Sequence, residues 1–189
     1  MAKKPNQLYF TEDESARRLI AEDPMALLIG FALDQQVTVQ KAFDGPRAIK
    51  ERVGSLDPAV LANTDLEPAF REKPAIHRYP GNMSKRVSAL AAAIETDYGG
   101  DASQVWKRAK DADELRKNIE ALPGFGEMSG ISLASVLAKR FGVKQAEPLL
   151  PGHPTLGEVT SIDELNEYQA AKKLHRKEWY ATYGKGKKS

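Results

Sequence analysis

Cysteine is absent from all 189 residues, which removes disulfides, thiolate nucleophiles, cysteine-based zinc sites and cysteine-held iron–sulfur clusters. Histidine is scarce, and His77, His153 and His175 lie too far apart to form a short-spaced metal motif. No apolar run approaches the roughly 18 residues of a membrane span. The start, Met1-Ala2-Lys3-Lys4-Pro5-Asn6, has no secretory apolar stretch, so a cytoplasmic protein is expected. The period-two alternation of strands is nearly missing as well. Helical spacing is what remains, and 41% hydrophobic content suffices for the core of one domain or two small lobes. The expected fold class is all-α.

The net charge of +2 hides an asymmetry, because residues 171–189 hold seven Lys or Arg against the single acid Glu178. The rest of the chain is therefore mildly acidic, and any polyanion-binding surface must be local. Such a tail either contacts phosphate through counterion release or only keeps the chain soluble.

Turn and cap residues divide the chain. Asp23-Pro24 reads as N-cap and first position of a helix over 25–33, apolar nearly all round and so central. Gly45-Pro46 is expected to start a helix to about Val53, Asp57-Pro58 one to Ala62, and Asp65 one to Phe70. Residues 73–81, with Pro74, Pro80 and Gly81, read as a loop. Asn82 is expected to cap a long amphipathic helix that stops at Gly99-Gly100. Asp101 and Asp111 are read as caps for 102–109 and 112–121, and Gly142 closes a helix over 128–141. Residues 144–160 hold three prolines and read as irregular. Ser161 and Glu164 form a capping box that opens a C-terminal helix to Tyr183.

Between the helices over 112–121 and 128–141 lies Leu122-Pro123-Gly124-Phe125-Gly126. Two glycines around one apolar residue allow a tight turn with positive φ and leave no side chain before the peptide N–H groups. At a helix start, with its positive dipole end, those groups make an anion site. Leu122 and Phe125 would anchor the turn in the core. The other reading is an ordinary helix–helix turn.

These residues resemble the hairpin of the helix-hairpin-helix glycosylases of base excision repair (the HhH-GPD family). The run 26–38, ending in Asp34-Gln35-Gln36-Val37-Thr38, is similar to that family's helix with a terminal glutamine pair. The likeness covers roughly residues 20–160, and its details most resemble an uncharacterised bacterial subfamily with a His-Arg-Tyr/Phe-Pro-Gly loop, here His77-Arg78-Tyr79-Pro80-Gly81. It implies two helical lobes with a cleft between them, and three parts of the chain. These are an N-terminal segment 1–22 packed on the body, a helical domain 23–160, and a C-terminal helix with a basic tail over 161–189. It further implies a nucleoid-associated monomer acting on duplex DNA without a redox cofactor, with room for a monovalent or divalent cation at the hairpin backbone.

Two positions depart from the family. Lyase members carry a Schiff-base lysine where this chain has Met128, and a thioether cannot form that bond. Where members place an Asp that stabilises the sugar cation, Pro151-Gly152-His153 stands. The implied activity is a monofunctional DNA glycosylase; the alternatives are a catalytically silent binder of lesions and a helical protein-interaction domain. Candidate catalytic residues are Asp34 first, His153 second and Glu147 third. Asp34 is either a helix-end carboxylate or an acid beside the base pocket. Candidate DNA contacts are Gly124, Phe125, Gly126, Gln36, His77, Arg78 and Lys139. Gln36 is either a helix-terminal cap or a wedge filling the gap left by an extruded base, and Lys139 and Arg140 are either backbone contacts or a solvated face. Trp106 is expected in the core.

Overall fold

The computed structural model describes residues 4–183, with side chains as far as Glu178. Among these residues all regular structure is helical: ten α-helices, two short 3-10 turns and no strand. No helix among them is long and apolar enough to cross a membrane.

The chain enters with Leu8 and Phe10 buried, then forms α1 (Glu14–Glu22), capped by the Asp13 carboxylate accepting from the Ala16 N–H. Helix α2 (Pro24–Leu33) starts on the expected Asp23 cap and buries nine of its ten residues. Helix α3 (Val39–Val53) begins at Thr38, whose hydroxyl accepts from the Lys41 N–H, and not at Gly45-Pro46 as the sequence suggested. Pro46 forgoes one backbone bond inside the helix. Gly45 explains why the pair is there, because a Cβ at this position would lie 2.5 Å from Leu33 Cδ1. The pair thus marks a close approach of α3 to α2, not a helix start.

Helices α4 (Pro58–Ala62) and α5 (Glu67–Arg71) follow, both packed on α6 (Pro80–Tyr98). Helix α6 opens with Pro80 at its first position, so Asn82, the expected cap, is an exposed residue of the first turn. Helix α7 (Gln104–Lys107) is shorter than expected, since the Asp101 carboxylate binds the Ser103 N–H and hydroxyl in a local turn. Helix α8 (Ala112–Glu120) has the expected Asp111 cap, and α9 (Glu127–Phe141) the expected Gly142 stop at φ 66°. The proline-rich stretch contains the turns Lys144–Leu149 and Leu156–Glu158 before α10 (Ile162–Tyr183). Ser161 caps α10 as expected, but the Glu164 carboxylate bonds Thr160, one residue earlier than a capping box predicts.

Helix α2 is the hub, in contact with α1, α3, α6 and α9. Phe43 on α3 joins it to the N-terminal segment, its ring meeting Phe10 at 5.0 Å and Phe31 at 5.1 Å, both edge-on. Trp106 is buried in this core, as expected. Gly30 lets α2 and α3 meet: a Cβ there would lie 2.3 Å from the Phe43 ring. Gly30→Ala is therefore expected to destabilise the fold by about 1–3 kcal/mol through overpacking, read as a lower Tm in thermal unfolding followed by circular dichroism. An unchanged Tm would mean that the α2–α3 contact is looser than described.

Candidate functional site

Helix α8 leads straight into the hairpin. The Leu122 N–H donates to the Ile119 carbonyl and the Phe125 N–H to that of Leu122, with Pro123 and Gly124 as the central pair. Gly124 takes φ 88°, the second central position of a type II turn. Leu122 and Phe125 are buried, so the hairpin is pinned from beneath. The Phe125 side chain thus acts as an anchor beneath the turn.

The two glycines have different reasons to be glycine. A Cβ on Gly124 would lie 2.6 Å from Cδ of Arg86, whose stem fills that space. Gly126 has ordinary extended backbone (φ −116°), and a Cβ there would meet nothing within 4 Å. Neither strain nor packing requires glycine at 126. Its effect is to leave the front of α9 uncovered. The Gly126 N–H donates to Ser129 Oγ at 2.9 Å, while no side chain among the described residues caps the first-turn N–H groups of α9. They present donors and the positive dipole end to solvent.

Beside this helix start opens a cleft of about 400 Å³. Phe31 and Asp34 line it from the end of α2, Met128 from α9, His153 from the proline-rich loop, and Tyr168 and Lys172 from α10. Gly126 lies on its rim. The structure therefore brings together both leading catalytic candidates and the hairpin. Glu147, the third candidate, lies on the exposed turn Lys144–Leu149, outside the cleft lining.

Asp34 caps the C-terminal end of α2, its N–H donating to the Phe31 carbonyl at 3.2 Å. Its carboxylate is half-buried, with no hydrogen bond or ion pair among the described residues. Burial pushes its pKa up, and the charge of Lys172 only partly opposes this. Burial also pushes the Tyr168 phenol up to about 12, helped by the negative charges of Asp34 and Glu158, so Tyr168 stays a hydrogen-bond donor. His153 is exposed, with Nδ1 3.2 Å from the Pro154 carbonyl; since a carbonyl can only accept, Nδ1 is the donor of this contact. Met128 is 73% exposed at the mouth.

On the rim, Gln36 has the left-handed φ of 57°, and its Oε1 accepts from the Tyr79 hydroxyl at 3.0 Å. Arg78 is exposed and stacks 5.5 Å over the Tyr79 ring. Arg86 donates at 2.7 Å to Gln35 Oε1.

Two of the candidate DNA contacts, His77 and Lys139, have partners within the chain. His77 is only 1% exposed; its Nε2 donates to the Leu33 carbonyl at 3.0 Å and its Nδ1 accepts from the Tyr79 N–H. Burial keeps its pKa low, so the ring is a neutral brace between α2 and the loop. Lys139 is ion-paired with Glu158, and it holds that carboxyl low against the opposing effect of burial, together with the Thr155 donors. Tyr168 and Arg86 went unread in the sequence. Leu165, Tyr168 and Lys172 lie at helical spacing on one face of α10, a pattern that could have shown this face turned inward. For Arg86 no local pattern exists.

Compared with protein-family models, with curated proteins and with solved structures, the chain matches none.

A half-buried carboxylate without a partner costs stability whenever it is ionised. Its folded pKa is raised, so its favourable contribution is complete below the unfolded value and is lost as pH rises through the folded one. Asp34→Asn should consequently raise Tm at pH 7, with the advantage vanishing below about pH 4. A Tm that falls at pH 7 would make Asp34 an ordinary helix-end cap.

Proposed function

We propose that the chain is a monofunctional DNA glycosylase of the helix-hairpin-helix class, two helical lobes closing on a cleft that receives one nucleotide turned out of duplex DNA. The observation that carries this reading is that the uncapped start of α9 and the unpartnered carboxylate of Asp34 share one cleft. The N–H groups suit a backbone phosphate, and the cleft suits what hangs from it. Its volume of about 400 Å³ lies within the usual range of small-ligand sites, and Phe31, Met128 and Tyr168 give apolar walls for a base.

In the proposed reaction the glycosidic C–N bond breaks, its electron pair leaves with the base, and positive charge develops on the sugar. Asp34 stabilises that charge more strongly in a water-poor cleft than it would in solvent. Water then adds to the sugar carbon, and its proton passes to His153 Nε2 or to solvent. Gln36, held by Tyr79, fills the gap in the stack, and Arg78 lies against the backbone. With Met128 in place of an amine, the reaction ends at an abasic site.

The test is to incubate the protein with duplexes carrying alkylated, deaminated or oxidised bases and to cleave abasic sites with alkali. Asp34→Asn is expected to lower excision by at least about a hundredfold, with duplex affinity nearly unchanged, and His153→Ala to cost less. Gly126→Val should weaken duplex binding while leaving the free energy of unfolding within about 0.5 kcal/mol of wild type. Borohydride should trap no covalent adduct. Duplex binding without excision of any lesion would leave a catalytically silent lesion binder, and no duplex binding would leave a helical protein-interaction domain.

A further inference from the structure

Helix α10 has two unlike halves. The first is anchored: Leu165 is buried, Tyr168 lines the cleft, and Gln169 Oε1 accepts from the Val39 N–H at 3.0 Å. From residue 170 to 178 every side chain is exposed. A free helix of this length is marginal in water, so it depends on continuity with the anchored turns and on the strong helix formers Ala170, Ala171, Lys172 and Lys173.

This projecting half carries Lys172, Lys173, Arg176 and Lys177. They pair as 172 with 176 and 173 with 177, one helical turn apart, and form one continuous basic face. None has an acid three or four residues away to offset it, since those positions hold Tyr168, Gln169, Ala170, Leu174, His175, Trp179, Tyr180 and Ala181 besides one another. Like charges at this spacing repel, so the helix bears a small cost in the free protein. Elsewhere the chain does offset its cations, as in the pairs Arg18–Glu14, Arg47–Glu51 and Arg71–Glu67. The arm also leaves the body at the cleft: Lys172 lines the mouth, its ammonium 5.9 Å from the Tyr168 ring centre.

We infer that the distal half of α10 is a second, sequence-independent phosphate contact, a basic arm that lies along the backbone of the duplex whose nucleotide enters the cleft. This rests on the reading of the cleft as a DNA site. The four cations extend over about 7.5 Å of helix axis, and phosphates of one strand rise about 3.4 Å each, so the basic face matches two to three consecutive phosphates of one strand. The hairpin amides hold the strand beside the extruded nucleotide, while the arm supplies charge from across the mouth. Such a contact governs affinity and its dependence on salt, not the choice of base.

The experiment uses the full chain and a fluorescein-labelled 20-mer duplex, with binding followed by anisotropy across a salt series. One variant carries Lys173→Ala, Arg176→Ala and Lys177→Ala, which favours the helix; a second carries Lys173→Arg, Arg176→Lys and Lys177→Arg. The alanine variant is expected to reduce the slope of log K against log salt by about 2.7 if each of the three meets a phosphate, and the charge-preserving variant to keep the wild-type slope. Equal slopes for wild type and the alanine variant overturn the inference and leave the cleft reading standing. A wild type that binds no duplex overturns both. Phosphatidylserine-containing vesicles are tested alongside: vesicle binding lost in the alanine variant, with duplex binding intact, would make the arm a membrane contact and overturn the inference.

Discussion

Helix α2 is buried on every side, and the wall of the cleft formed by Phe31, Asp34 and Gln35 takes its position from that burial. An apolar helix held by α1, α3, α6 and α9 cannot turn or slide without opening voids in a close-packed interior. Two close approaches fix it further, Gly30 against the Phe43 ring and Leu33 against Gly45. Polarity begins abruptly where the helix ends: Leu33 is buried, Asp34 half-buried, Gln35 and Gln36 exposed. The carboxylate is placed by nine apolar residues behind it, not by partners of its own.

The other half of the cleft has to be held in register with this end. The hairpin belongs to α8 and α9, which pack mainly on each other and on the turns after α9. One side chain from α6 reaches both sides. The stem of Arg86 fills the space beside Gly124, and its guanidinium donates to Gln35 and, at 3.4 Å, to the Ala32 carbonyl. His77 braces the same helix end from the loop before α6. At this end of α2, then, a cation and a neutral imidazole serve to set geometry through Leu33, Ala32 and Gln35, while the neighbouring Asp34 carboxylate has no hydrogen bond or ion pair among the described residues. An acid kept in that condition is a candidate for chemistry, since perturbed carboxylates concentrate at functional clefts.

What the sequence disclosed was mostly local. The caps at Asp23, Asp57, Asp111 and Ser161 and the stop at Gly142 are short-range events, and each was readable from neighbouring residues. Helix α1 was not, because its buried stripe amounts to Ala16, Ile20 and Ala21 in an otherwise polar stretch. Gly45-Pro46 misled because the same dipeptide that starts a helix also suits a tight crossing, and only the partner helix decides between them. At the site, Asp34, His153 and the hairpin could be singled out by residue type and position. His77 and Lys139 looked free for the same reason, but Leu33 and Glu158, 44 and 19 residues away, occupy them. Such long-range partners leave no trace in a single chain.

The central claim, that the start of α9 and the end of α2 form one nucleotide-receiving cleft, is tested most directly by amide NMR. Labelled protein is titrated with a short duplex holding a stable abasic analogue opposite thymine. The account predicts that the amides of Gly124, Gly126, Glu127, Met128 and Ser129 and those of Asp34, Gln35 and Gln36 shift together along one binding curve, with α4 and α5 unmoved. Shifts confined to one of the two segments, or centred away from both, would contradict it.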